Sequence, residues 1–241
     1  APLRWWAGGA AGAGVRTLGT GRGMGANAQL THVRSADAAP DAIQVEDVAI
    51  RVARNASYRA HLMNGGASLS RLTLRLTLKE AGASAQLSAV SVLGGKLHAD
   101  VTTEIHHASG ETQSTQLFKH VAGGQSHVVY QGKITVAEGA DKSDSRQTAK
   151  ALLLGERAEA DLKPELEIFA DDVKCAHGAA VGDLDADSLF YLRARGIPEI
   201  EARNMLIRAF LEEAVAEIAD EGLRDVVWKR VEEALKGAMT S

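Results

Sequence analysis

The segment Arg71-Leu72-Thr73-Leu74-Arg75-Leu76-Thr77-Leu78 places a leucine at every second position and a polar residue between each pair. Successive side chains of an extended chain point to opposite faces, so this stretch reads as a strand with one face buried and the other in water. Leu97 to Ile105 repeats the alternation, and Gln86 to Leu93 and Ser126 to Val136 are further strand candidates rich in Val and Ile. Gly65-Gly66, Gly82, Gly94-Gly95, Gly110, Gly123-Gly124 and Gly139 punctuate these runs at intervals of roughly a dozen to seventeen residues, with no helical stretch between them. An all-β region from about Asn27 to Val136 follows. Sandwich, barrel and β-helix all fit that spacing, and no short sequence repeat is visible. Aromatic residues make up only 4% of the chain, which favours stacked coils filled by aliphatic ladders.

After about Asp183 the period changes to that of helices. Asp185 is placed to cap a helix carrying Leu189, Phe190 and Leu192, and Gly196 to end it. Pro198 suits the first turn of a second helix bearing Ala202, Leu206, Ala209, Phe210 and Ile218. A third helix carries Leu223, Val226, Val227, Val231, Ala234 and Leu235 on one stripe, with Gly237 beyond it. The apolar faces of these helices are expected to serve the chain's own core. The expected organisation is a Gly/Ala-rich segment over 1–25 assigned to no fold, a β core over 26–182 and a helical domain over 183–241.

The net charge is −4, and no stretch forms a basic stripe, which excludes a nucleic-acid groove or an anionic membrane surface. No uncharged apolar run approaches membrane-spanning length. Cys175 is the single cysteine, so there is no disulfide framework, and a reducing, cytoplasmic setting is expected. The glycine-rich segments lack a phosphate-loop pattern ending in Lys-Ser or Lys-Thr, so nucleotide binding is assigned to a partner.

The junction between the two regimes carries the chemistry. In Asp172-Val173-Lys174-Cys175-Ala176-His177-Gly178-Ala179, Cys175 and His177 are two apart, and on an extended chain they share a face. A thiolate and an imidazole side by side can ligate iron or zinc. A protonated His177 would alternatively lower the thiol pKa and activate it. Two ligands do not complete a tetrahedral site, so a self-contained centre is excluded in favour of one shared with another subunit, or of an inert buried thiol. His106, His107, His120 and His127 invite a metal reading too, but neighbours on a strand face opposite ways and cannot share an ion; they read as surface or ladder histidines.

This Lys-Cys-x-His-Gly-Ala core leading to Val181-Gly182 resembles the signature of the SufD branch of the SufB/SufD family, scaffolds of SUF iron–sulfur cluster assembly. Leu189-Phe190-Tyr191-Leu192 with Arg195-Gly196-Ile197 is similar to the family's helix entry. Leu152-Leu153-Leu154, Pro164-Glu165-Leu166-Glu167-Ile168 and the glycine-centred strand Gln131-Gly132-Lys133-Ile134-Thr135-Val136 match as well. The similarity covers roughly Gly65 to Ile218. Ala180 stands where the family usually has Thr, and the chain is shorter than typical members, with no recognisable N-terminal helical region.

The resemblance implies a right-handed parallel β-helix followed by a C-terminal helical domain, and a non-catalytic scaffold rather than an enzyme. It implies pairing with a SufB-like subunit through the β-helix and docking of a SufC-like ATPase on the helices, with a homodimer available in isolation. It places Cys175 and His177 on the family's interface pair, as ligands of a transient iron or iron–sulfur cluster and with no permanently bound cofactor. The competing expectations are a β-helix carbohydrate-active enzyme and a purely structural β-helix protein.

Overall fold

The computed structural model describes residues 4–10, 14–65 and 67–239. Among the described residues there are thirteen strands and three helices. The strands are β1 Arg4–Ala10, β2 Val15–Met24, β3 Gln29–Ala38, β4 Ile43–Val52, β5 Ser57–Asn64, β6 Leu69–Leu78, β7 Ser84–Leu93, β8 His98–His107, β9 Gln113–Ala122, β10 His127–Val136, β11 Asp144–Leu153, β12 Glu159–Ile168 and β13 Lys174–Gly182. The odd-numbered strands form one seven-stranded sheet and the even-numbered strands a six-stranded one, each in sequence order. Every ladder between named strands is parallel. The chain therefore steps from one sheet to the other with each strand, and two strands make one coil of a parallel β-solenoid. Two of these strands, β1 and β2, lie within the segment 1–25 that sequence patterning assigned to no fold.

Stacking partners lie 27 residues apart at His61 and Ser88, 29 at Arg71 and Asp100, and 31 at Ser114 and Ser145. Five of the six corners that lead from an even- to an odd-numbered strand hold a residue in the left-handed region, in the order Asn27, Asn55, Gly82, Glu111, Lys142. The backbone N–H of each of these five donates to a carbonyl in the coil above, so the corners form a ladder of their own. Gly82 (φ 74°) fills its place without a Cβ penalty; the other four are L-residues tolerated there by the repeated geometry.

The solenoid's interior changes character along its length. Val48, Ile50, Leu72, Leu74, Leu76, Leu87, Val101 and Ile105 fill the middle coils with aliphatic side chains. At about 25 cal/mol per Å2 of apolar surface removed from water, this stack is the main source of stability. In the last coils the inward positions become polar: Thr103, His107, Ser114, Gln116, Tyr130, Ser145 and Gln147 are all buried. Most of their polar atoms bond one another. His107 bonds Thr112 at 2.8 Å and Ser114 at 2.9 Å, Ser114 bonds Ser145 at 2.6 Å, and Thr103 and Tyr130 both approach Gln116.

The helices are α1 Ala186–Ala194, α2 Glu199–Val215 and α3 Glu221–Met239. Asp185 caps α1 by accepting from the Ser188 N–H at 2.8 Å, and Gly196 (φ 86°) follows its end. Helix α3 continues through Gly237, which sequence patterning had placed beyond it; the packed stripe that includes Leu235 and Ala238 carries the helix past the glycine. Helices α2 and α3 turn back onto the outer face of the odd-numbered sheet. There Ile207, Leu211, Val215, Val227, Trp228 and Val231 cover Met63, Val90, Val92 and Val121. Buried Lys119 on β9 donates to Glu213 of α2 and lies 4.5 Å from the Phe210 ring centroid. Helix α1, in contrast, has no buried residue.

Candidate functional site

Strands β12 and β13 end their sheets, so each presents one unpaired edge. The alternation that fills the lumen continues onto them. On β13, Cys175 is in register with Ser145, His177 with Gln147, Ala179 with Ala149 and Val181 with Ala151, all partners that point inward on β11. On β12, Leu162 stacks on Tyr130, Pro164 on Gly132, Leu166 on Ile134 and Ile168 on Val136. Cys175 and His177 thus share the face that would be interior if another coil followed. Cys175 is partly buried against the core, while His177 is exposed. Val181 and Ile168 are exposed on the same terminal coil.

Burial pushes the Cys175 thiol above its ordinary range and the Asp144 carboxylate pushes it further, against a smaller opposing contribution from the Ser145 backbone N–H. On balance these surroundings favour the protonated thiol, and a metal ion would have to displace the proton. Among the described residues no group of three or more His, Cys, Asp or Glu side chains could hold a metal ion.

Among the described residues, His106, His107, His120 and His127 belong to no group of three or more candidate metal ligands. His106 and His107 face opposite ways, and His107 is satisfied inside the lumen on both ring nitrogens. His120 is fully buried beside Phe118 and Tyr130 and pushed down to about 4 by desolvation. His127 lies 2.7 Å from Asp161 on the outer face of the even-numbered sheet.

Sequence reasoning did not single out Gln147 or Tyr130. The Gln147 side-chain nitrogen donates to Tyr130 Oη at 2.8 Å. A Cβ at residue 132 would overlap both the Gln147 amide nitrogen and the Tyr130 hydroxyl, so the lumen requires glycine there. The available signal was the run Ser145, Gln147, Ala149, Ala151, whose period of two puts the glutamine on the inward side.

Residues 17–210 match the family described as SUF system FeS cluster assembly, SufBD core domain. The chain is 35% identical over 214 residues to the iron–sulfur cluster assembly protein SufD of Escherichia coli, covering 89% of this chain and 51% of that protein. It is 36% identical over 197 residues to an iron–sulfur cluster assembly SufBD family protein of Synechocystis, covering 81% and 43%. It is 29% identical over 203 residues to SufD of Plasmodium falciparum, covering 84% and 14%. The chain spans about half the length of the first two relatives. No helix among the described residues is long and apolar enough to cross a membrane. With a parallel β-solenoid, three C-terminal helices and this sequence match, the chain belongs to the SufBD core family of the SUF iron–sulfur cluster assembly system.

Proposed function

We propose that the protein is a SufD-type scaffold subunit whose open solenoid end pairs with a SufB-like subunit, and that Cys175 and His177 donate to iron or a nascent cluster held between the two. The observation that carries this reading is the edge strand β13. It offers a row of unpaired backbone groups and, on one face, two metal donors that are too few to hold an ion alone. A second edge strand would extend the sheet and supply the missing ligands in one step. The cluster is cargo here rather than a resident group, and the protein's task is to hold it in position, not to catalyse a reaction. A homodimer through the same edge is the expected state when the partner is missing, and the reducing cytoplasm suits a site that uses a free thiol.

Docking of a SufC-like ATPase is assigned to α1 and the start of α2. Phe190 (74% exposed), Tyr191, Ile200 (72% exposed) and Met205 are open to solvent there, whereas the apolar stripe further along α2 is consumed by the core. The test is co-expression with the cognate SufB-like and SufC-like subunits, followed by iron and sulfide analysis of the purified complex. Co-purification of all three with bound iron and sulfide is expected. A chain that purifies alone, free of both partners, contradicts the proposal and favours a purely structural β-helix.

A further inference from the structure

We propose that Gln147 is a positioning residue for His177, fixing which ring nitrogen faces the partner subunit; this rests on the reading of His177 as a donor to a shared site. Gln147 is 1% exposed, and its amide nitrogen is tied to Tyr130 Oη at 2.8 Å in space that Gly132 leaves open. Its carbonyl oxygen Oε1 is buried and has no hydrogen-bond partner. An unpaired buried acceptor is costly, and native structures rarely leave one without a use.

The register shows what can reach it. Gln116 on β9, Gln147 on β11 and His177 on β13 form one column, with steps of about 4.8 Å between neighbouring strands. The Gln116 amide nitrogen is also unpartnered and can take one lone pair of the Gln147 oxygen. A carbonyl oxygen has two lone pairs, so an acceptor remains for His177, the next side chain toward the open end. In the arrangement proposed, the His177 ring turns inward so that one N–H donates to Gln147 Oε1, and the other ring nitrogen then carries its lone pair outward. Metal-binding histidines commonly hold their second N–H on a carbonyl in this way.

The experiment uses the full-length protein labelled with 15N-histidine, with long-range 1H–15N spectra reading the His177 tautomers and His177→Gln supplying the assignment. In the wild type the ratio of the two neutral tautomers is expected to differ from that of a free histidine by about fivefold, the weight of one net hydrogen bond. Gln147→Met, which keeps the volume, should return the ratio to the free value, and Gln147→Glu, which keeps an acceptor, should hold it. If Gln147→Met fails to fold, Tyr130→Phe releases the same amide and should shift the ratio in the same direction. A free-histidine ratio in the wild type that Gln147→Met leaves unchanged overturns the positioning role, whatever His177 does in assembly. A shift on Gln147→Met in a protein whose His177→Ala variant still loads iron normally supports the contact and overturns the donor reading.

Discussion

Gly132 and Gln147 share one volume: the glutamine amide occupies the space where residue 132 would carry a Cβ, with the Tyr130 hydroxyl against the same point. Two sheets of the solenoid are thereby locked across the lumen at the coil below the β13 edge.

Gly132→Ala is therefore expected to cost about 2–4 kcal/mol, at the upper end of overpacking effects, because neither buried neighbour can move into solvent. Chemical denaturation reads the loss. Combining it with Gln147→Ala should recover part of it, since the amide is one of the two obstructions; strictly additive losses would contradict the shared-volume account.

The buried histidines predict a pH dependence. Desolvation lowers His61, His107 and His120 to about 4 from an ordinary value of 6.5. Each is neutral in the fold and takes a proton more readily when unfolded. The stability they contribute is present above about pH 6.5, declines below it, and is lost as the pH falls through about 4. Denaturant midpoints measured between pH 7.5 and 4.5 should fall steadily. His120 is the clearest case, because both its ring nitrogens are buried without partners. His120→Leu should be neutral or stabilising at pH 7.5 and should flatten the slope by about one proton. An unchanged slope would contradict the burial argument.

The helices divide into a structural and an exposed part. Removing everything after Gly182 would uncover Met63, Val90, Val92 and Val121, and aggregation with loss of cooperative unfolding is expected. Phe190→Ser with Ile200→Ser should change stability by less than about 1 kcal/mol, as exposed positions do. The same pair should weaken binding of the SufC-like ATPase at least about tenfold, the loss of two buried apolar anchors. Titration calorimetry measures both binding constants, and unaltered affinity would move the docking surface elsewhere.

Much of this was legible because the β region obeys a period of two. The alternation in β6 and β8 and the glycine corners gave half-coils of the right length, and Asp185, Gly196 and Pro198 marked the helix boundaries. The coil itself was not visible as a repeat. Its length drifts, and its left-handed corners are filled by Asn, Gly, Glu and Lys in turn, so stacked positions share a conformation rather than a residue type. Strand β2 escaped notice because Gly19, Gly21 and Gly23 carry no side chain to reveal an alternation. Cys175 and His177 were recognisable from their spacing, but Gln147 looked like one polar residue among several. Only the register with His177 and the vacancy at Gly132 give it a role.

His177→Ala tests the central claim most directly. His177 is exposed on an edge strand, so the substitution should shift the unfolding free energy by less than about 1 kcal/mol and leave no cavity. The measurement is iron and sulfide bound per complex after reconstitution with the SufB-like and SufC-like subunits, with complex formation checked by gel filtration. The account predicts an intact complex with a severalfold loss of bound iron and sulfide, and a milder loss for Cys175→Ser. An intact His177→Ala complex that loads iron and sulfide at the wild-type level would contradict it.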